Sequence, residues 1–267
     1  MKYKIGIVGA GIVGNAVKYG MERLGHNVYV HDIKFDTKLE QLLNTEICFI
    51  CVPTPSKITT ECDTSIVDKI LHDLNIMKYK GIIAIKSTIP PKTTKDFQIK
   101  YNNKNICFVP EFLRERCAIE DFIENHDVCV IGSNSRKICD FIRVIHGSFP
   151  KKFLFMSPTE AEIVKYYNNI YAATLVTLAN NFYEVCKFTN SNYDIVKDAM
   201  IHRDHITDAY IDCNENLRGF SGPCLPKDVK ALAFFAEKNK LNTGIFKFLN
   251  LENKNFKKTV LKGMREE

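Results

Sequence analysis

The segment Gly9-Ala10-Gly11-Ile12-Val13-Gly14 lies between an apolar run, Lys4–Val8, and a helix-forming stretch, Asn15–Leu24, which Gly25 ends. Few folds place three glycines at this spacing between a strand and a helix. The first glycine permits a tight turn, the second lets the backbone approach a pyrophosphate, and the third lets helix and strand pack closely. The helix N-terminus adds a positive dipole for the phosphates. Val28–Asp32 then reads as a second strand that ends in an acid. A carboxylate there accepts both ribose hydroxyls and repels a 2′-phosphate. The pattern therefore points to NAD rather than NADP, with Gly9, Gly11, Ile12, Val13, Gly14 and Asp32 in contact with it. Lys34 is the one neighbour that softens the exclusion.

The same strand–helix alternation continues. Strands are expected at Glu46–Val52, Gly81–Lys86, Ile106–Val109, Val128–Ile131 and Phe153–Met156. Helical spacing is found at Leu39–Leu43, Ile66–Leu74, Thr93–Tyr101 and Arg136–Ile145, with a polar loop over 56–65. This predicts an α/β fold, a Rossmann-type, mostly parallel sheet covered on both faces. The pattern changes at Ser157-Pro158-Thr159-Glu160. A helix capped by Ser157 or Thr159 should run to about Lys187, and Tyr193–Arg203, Lys227–Lys240 and Phe246–Lys262 also read as helical. We expect a dinucleotide-binding domain over 1–156 and a mainly α-helical domain over 157–267.

Composition removes several classes. No run reaches the roughly 20 apolar residues of a membrane helix, and the start lacks the shape of a signal peptide. The net charge of +6 is spread over 37 basic and 31 acidic residues. Its densest basic stretch, Lys254 to Arg265, lacks the interleaved aromatics and the module of a nucleic-acid binder. Of ten cysteines, Cys48, Cys51, Cys107 and Cys129 sit in strand-like runs and behave as small hydrophobes. Cys48 and Cys51 are spaced CxxC, but in a strand they face opposite sides. A reducing, cytoplasmic setting fits. His202 and His205 are three apart on an expected helix without a third ligand, so no metal is expected.

Three groups could carry chemistry. In Gly219-Phe220-Ser221-Gly222-Pro223-Cys224-Leu225-Pro226-Lys227-Asp228, Pro226 suits a first helical turn. Cys224 thus precedes a helix N-terminus, where a thiolate is stabilised, with Asp228 one turn on. Taken alone, the loop fits a nucleophile and a surface cysteine equally. Lys165 and Asn169 lie one turn apart on the long helix. Glu111 and Glu115 follow Pro110 past a strand end, again one turn apart if helical, where a helix-start charge pattern also accounts for them.

Taken in order, Pro110-Glu111-Phe112-Leu113-Arg114-Glu115, Lys165-x-x-x-Asn169 and Cys224-Leu225-Pro226-Lys227-Asp228 after the glycine loop resemble the UDP-glucose/GDP-mannose dehydrogenase family. Cys51-Val52-Pro53-Thr54-Pro55 and Lys86-Ser87-Thr88-Ile89-Pro90-Pro91 are similar to that family's cofactor-side loops. The resemblance spans Lys4 to about Lys258. It implies oxidation of a nucleotide sugar, UDP-glucose to UDP-glucuronate as the best guess, with two NAD used in turn. By position, Cys224 would form a thiohemiacetal and then a thioester. Lys165 and Asn169 would stabilise the oxyanion, Glu115 would be the acid/base, and Thr88 and Asp228 would hold the water. Val52, Pro53, Thr54, Thr88, Glu115 and Lys227 would border the cofactor. Glu111, Phe112, Leu113, Lys165, Asn169, Gly219, Phe220 and Gly222 would meet the substrate. The long helix near 159–187 would be the core of a homodimer.

The chain departs from the family at three points. It stops soon after the helix that would lead into a third domain. Asp204-His205-Ile206-Thr207 stands where an Asp-x-Arg-Ile-Gly stretch is common, and Ser221 stands where a glycine is common. A lapsed NAD-binding dimer, and a one-step 3-hydroxyacid-type dehydrogenase, remain the alternatives.

Overall fold

The computed structural model describes residues 1–256. The chain divides into two compact units. One consists of Met1–Pro55 and Cys62–Lys165, the other of Ser56–Glu61 and the chain from Tyr166 onward. The change expected at residue 156 is where strands stop. The division between units falls a few turns later, inside the long helix, and the short segment Ser56–Glu61 counts with the second unit.

The first unit is built on β1 (Lys4–Val8), α1 (Ile12–Arg23), β2 (Asn27–His31), β3 (Ile47–Ile50), α2 (Ser65–Ile76), β4 (Ile82–Ile85), α3 (Thr93–Lys100), β5 (Ile106–Phe108), α4 (Ala118–Ile123), β6 (Val128–Gly132), α5 (Arg136–His146) and β7 (Lys152–Met156). The seven strands lie in the order β2-β1-β3-β4-β5-β6-β7. Every pairing is parallel except β5 with β6, which meet at Phe108 and Gly132. The central strands are nearly continuous runs of buried residues, as a sheet covered on both sides requires. Alternate side chains form two layers. Ile5, Ile7, Ile47, Phe49 and Ile131 pack with Val17 and Met21 of α1, Phe122 of α4 and Ile142 of α5. Cys48, Ile50, Ile83, Ile85 and Phe108 pack with Leu71 and Leu74 of α2 and Phe97 of α3. Cys48 thus joins one layer and Cys51 the other, as period-two alternation demands.

The chain leaves β1 toward β2 on one side, then crosses to β3 on the other. This reversal opens a crevice at the carboxyl ends of β1 and β3, the place where open α/β sheets bind ligands. The glycine loop follows β1 directly and Val52-Pro53-Thr54 follows β3.

Helix α6 (Pro158–Phe188) starts with a reciprocal cap. Ser157 Oγ accepts the Glu160 N–H at 3.3 Å and Glu160 Oε2 accepts the Ser157 N–H at 2.7 Å. Its later turns join α7 (Tyr193–Ile201), α8 (Leu225–Lys238) and α9 (Ile245–Glu252) in the second unit. Ile170, Ala173, Phe220, Val229 and Leu249 form one core there, and Ala179, Cys186, Tyr193 and Cys213 another. Within this unit, Glu61 pairs with Lys57 and Lys238.

Three expectations need correction. The helix placed at Phe246–Lys262 is α9, which ends at Glu252 and passes into a 3₁₀ turn, Asn253–Asn255; residues 257–262 lie outside the described residues. Glu111 and Glu115 do not share a helix, because the chain is irregular after Pro110 until a 3₁₀ turn starts at Glu115. His202 is the C-cap of α7 and His205 lies beyond it, so the two are not on one helical face. Among the described residues no helix is long and apolar enough to cross a membrane.

His126 and His146 sit in the first unit with ring centroids 6.2 Å apart, both against Phe122. His146 is fully buried. Its Nδ1 lies 2.8 Å from the Ile142 carbonyl, and its Nε2 has no partner. Burial, with repulsion from the buried Lys86, pushes the pKa of His126 down to about 4 and that of His146 down to about 3. Both are neutral when folded, whereas the unfolded chain takes up protons below about pH 6.5. This contribution to stability is full above that pH and is lost as the pH falls toward about 4. Acidification from pH 7 to 5 should lower the urea midpoint, and His126→Gln should flatten that slope. An equal slope in the variant would refute the assignment.

Candidate active site

The first unit supplies a nucleotide cradle. Gly9 has φ +97°, and a Cβ there would lie 2.6 Å from the Cys51 carbonyl oxygen. A Cβ on Gly14 would lie 1.9 Å from the Gly9 carbonyl oxygen, so α1 can start where it does only without one. A Cβ on Gly11 would meet nothing within 4 Å. That open space is where a pyrophosphate would lie against the backbone, at the N-cap of α1. Asp32 Oδ2 accepts the Ala10 N–H at 2.7 Å and Oδ1 the Lys34 N–H at 2.9 Å. These backbone bonds hold the carboxyl below its usual range, so it remains an anion able to accept ribose hydroxyls. The residues present fit a dinucleotide.

Side chains tie the loops after β3 and β4 together. Ser87 Oγ donates to the Val52 carbonyl at 2.7 Å, and Thr54 Oγ1 to the Thr88 carbonyl at 2.8 Å. Thr54 is buried, so its hydroxyl serves the loop, while Pro53 is exposed and Thr88 half-buried. After β5, Glu111 holds Lys165. The Lys165 Nζ donates to the Glu111 carbonyl at 2.7 Å and to its Oε1 at 3.1 Å, and Glu111 Oε2 accepts the Leu113 N–H at 2.7 Å. Phe112 and Leu113 point into opposite hydrophobic layers, and the Lys165 ammonium lies 5.6 Å from the Phe112 ring centroid. Arg114 clamps Asp121 at 2.6 and 3.0 Å, which draws the segment before the half-buried Glu115 away from helical geometry.

Sequence reasoning missed two buried charged residues in this unit. Glu162, fully buried on α6, accepts the Lys92 N–H, the Thr94 N–H and the Thr94 hydroxyl at 2.6–2.7 Å. It fixes the start of α3, just past the Thr88 loop. Lys86 donates to the Val109 carbonyl at 3.1 Å. In the sequence Glu162 looks like an ordinary acid of the second turn of α6. Only its place one turn before Lys165 hints otherwise.

The second unit supplies a cysteine loop. Cys224 is the N-cap of α8, with Pro226 in the first turn. It is the only exposed cysteine of the ten, and none of the ten is in a disulfide. Burial pushes the thiols of Cys51 and Cys129 up to about 12, and those of Cys48 and Cys107 higher, so these stay protonated. Asp228, almost fully buried, donates its backbone N–H to the Cys224 carbonyl at 3.0 Å. Its carboxylate accepts Asn169 Nδ2 at 2.6 Å and Lys227 Nζ at 2.5 Å. Lys227, expected beside the cofactor, is therefore engaged with Asp228. Phe220, expected at the substrate, has its ring in the core at 3% exposure.

Two family models match the chain. Residues 31–150 match the NAD binding domain of the UDP-glucose/GDP-mannose dehydrogenase family, and residues 159–255 match the central domain of that family. The chain belongs to the UDP-glucose/GDP-mannose dehydrogenase family. It is 29% identical, over 94% of its length, to the UDP-glucose 6-dehydrogenase of Rickettsia bellii, and spans 66% of that relative. Its fold is similar to that of a UDP-glucose dehydrogenase from the archaeon Pyrobaculum islandicum, with a TM-score of 0.88 and 25% identity over 96% of this chain and 68% of that one. It is also similar to a 3-hydroxyisobutyrate dehydrogenase from Mycobacterium tuberculosis, with a TM-score of 0.77, covering 96% of this chain and 94% of that one. At 12% identity the latter likeness concerns fold alone.

Residues 31–150, within the first unit, thus match the family's NAD-binding domain, and we propose that NAD binds in the cradle at Gly9–Gly14 and Asp32. The glycines make separable predictions. Gly11→Ala should leave the thermal midpoint unchanged and weaken NAD binding by roughly tenfold or more, because its methyl enters the ligand's space. Gly14→Ala should destabilise the unit by about 3 kcal/mol or more, because its methyl enters a carbonyl. Calorimetry and NAD titration separate the two, and similar behaviour of both variants would contradict the cradle.

Proposed function

We propose that the chain carries out NAD-dependent oxidation of the primary alcohol of a nucleotide sugar to a carboxylate, with UDP-glucose to UDP-glucuronate as the best fit. The observation that carries this is Cys224, exposed at the N-terminus of α8 one turn from the buried Asp228, whose carboxylate binds Asn169 and Lys227. A structural cysteine needs neither that exposure nor that setting. The family membership and the relatives named above support the same reading.

NAD bound against Gly9–Gly14 and Asp32 would supply a hydride acceptor, used twice per substrate. Glu115 would take the alcohol proton in the first oxidation and pass it to solvent, so that its carboxylate is free again for the hydrolysis. The Cys224 thiolate then adds to the aldehyde carbon, forming a C–S bond, and the carbonyl oxygen becomes an oxyanion. Lys165 and the Asn169 amide stabilise that oxyanion. Loss of the second hydride leaves a thioester. Water would give up a proton to Glu115 and attack the thioester carbon, the C–S bond would break, and carboxylate and thiol would be released. Glu111 orients Lys165 through the two hydrogen bonds described above.

Two NADH per sugar should appear when the protein meets NAD and a panel of nucleotide sugars. Cys224→Ser should lower turnover by roughly a hundredfold or more. One NADH per substrate, with Cys224 dispensable, would instead favour a single-step alcohol dehydrogenase. NAD binding with no turnover of any sugar would favour a lapsed enzyme.

The partner we propose is a second copy. Tyr167, Tyr171, Leu178, Phe182 and Val185 form an exposed apolar stripe at helical spacing on α6, and Ile195 and Met200 of α7 are exposed as well. A contiguous patch of this kind is unusual for a monomer. Leu178→Asp combined with Phe182→Asp should halve the mass measured by light scattering. A wild-type protein that is monomeric at micromolar concentration would exclude the dimer.

A further inference from the structure

The loop before Cys224 is held by groups that the proposed chemistry does not use. Asn253, in the 3₁₀ turn after α9, grips the main chain of Phe220 at both of its polar groups. The Phe220 N–H donates to Asn253 Oδ1 at 2.8 Å, and Asn253 Nδ2 donates to the Phe220 carbonyl at 2.8 Å. A side-chain amide presents its donor and acceptor as a peptide group does, so the pair closes like one rung of a β-ladder. Two further anchors act nearby. The Phe220 ring is buried among Ile170, Val229 and Leu249. Asn180 Oδ1, almost fully buried, accepts Arg218 Nε at 2.7 Å and the Gly219 N–H at 3.2 Å. Only Ser221, Gly222 and Pro223 separate this clamp from Cys224, and Gly219 and Gly222 both have positive φ. Such a loop has little intrinsic preference for one shape, so its shape comes from what grips it.

We propose that Asn253 is a positioning residue for the cysteine loop. It fixes the Phe220 main chain, and through it the shape of Gly219–Gly222 and the approach to Cys224. The consequence for substrate binding rests on the proposal that this loop meets a nucleotide sugar. Asparagine is needed because both a donor and an acceptor are required. Aspartate keeps the size but, when ionised, sets an anionic oxygen against the Phe220 carbonyl. When protonated, its O–H restores the donor and the pattern closes again.

Asn253→Asp and Asn253→Ala test this in the full chain. In Asn253→Asp at pH 8, hydrogen exchange at the Gly219 and Phe220 amides should quicken by roughly tenfold or more over wild type at the same pH. The rate of Cys224 alkylation by iodoacetamide should also change. Exchange should return toward wild type at about pH 4, near the ordinary aspartate pKa, where about half of the carboxyls carry a proton. Asn253→Ala should show the change at both pH values. With UDP-glucose as substrate, KM should rise by about tenfold in Asn253→Asp at pH 8, with NAD affinity within about twofold of wild type. General destabilisation would move NAD affinity too and would not be reversed by acid. Wild-type exchange and alkylation in both variants would overturn the clamp. If the wild-type protein oxidises no nucleotide sugar, the functional proposal fails, and the exchange and alkylation results still decide whether Asn253 shapes the loop.

Discussion

Helix α6 has to place polar side chains where water does not reach. Glu162, Lys165, Asn169 and Asn180 are all buried, at spacings of three, four and eleven residues that keep them on one helical face. An unmet buried polar group costs about 1–3 kcal/mol, and separating a buried ion pair costs about 3–5 kcal/mol. Each of the four therefore dictates what must stand opposite it within its own unit. Glu162 requires the N–H groups at the start of α3, and Lys165 the carboxylate and carbonyl of Glu111. Asn169 requires Asp228, and Asn180 requires Arg218 and Gly219. Within each unit, α6 thereby fixes two segments that are far from it in sequence. A proline or glycine within those turns would loosen several of them together.

The cradle at the end of β1 follows a different logic, one of exclusion. Backbone meets backbone between Gly9 and Gly14, and this closeness lets α1 begin directly after the sheet edge. The dipole of α1 then points at the space beside Gly11. Asp32 is already ionised and already bonded to the Ala10 N–H. The cradle thus keeps its negative end and its positive end apart before any ligand arrives. A dinucleotide with a bare ribose complements both, whereas an added 2′-phosphate would meet the carboxylate.

Local patterns made much of this legible in the sequence. The glycine spacing, the acid just after β2 and the buried strand runs each depend on neighbours within a few residues, and all seven strands were expected near their observed places, whereas the short helix α4 was not expected at all. The same holds for Cys224, because Pro226 marks a helix start wherever it occurs. Other features depend on distant partners. Nothing around Glu111 shows that Arg114 will bind Asp121, so an expected helical turn became an irregular segment. Asn253 looks like any polar residue at a helix end until Phe220 is placed against it. Ser56–Glu61 reads as a plain loop, and distant contacts such as the ion pair of Glu61 with Lys238 show which unit it joins.

Charge balance connects these features to chemistry. The buried Lys165 is already neutralised by Glu111, and the buried Asp228 by Lys227, with the Asn169 amide also engaged. In the proposed reaction, a neutral alcohol or aldehyde approaching either pair would leave no ion uncompensated. In the proposed mechanism, charge developing on an oxygen bonded to the carbon that Cys224 attacks would meet dipoles already oriented. The Asn169 amide nitrogen carries two hydrogens, and Asp228 engages one of them, which fixes the plane of the other. Oriented donors stabilise a new anion without the reorganisation that water would need. The ionic pairs thus contribute less as net stability than as a means of holding a few donors still, a role that a hydrophobic pair of equal volume could not fill.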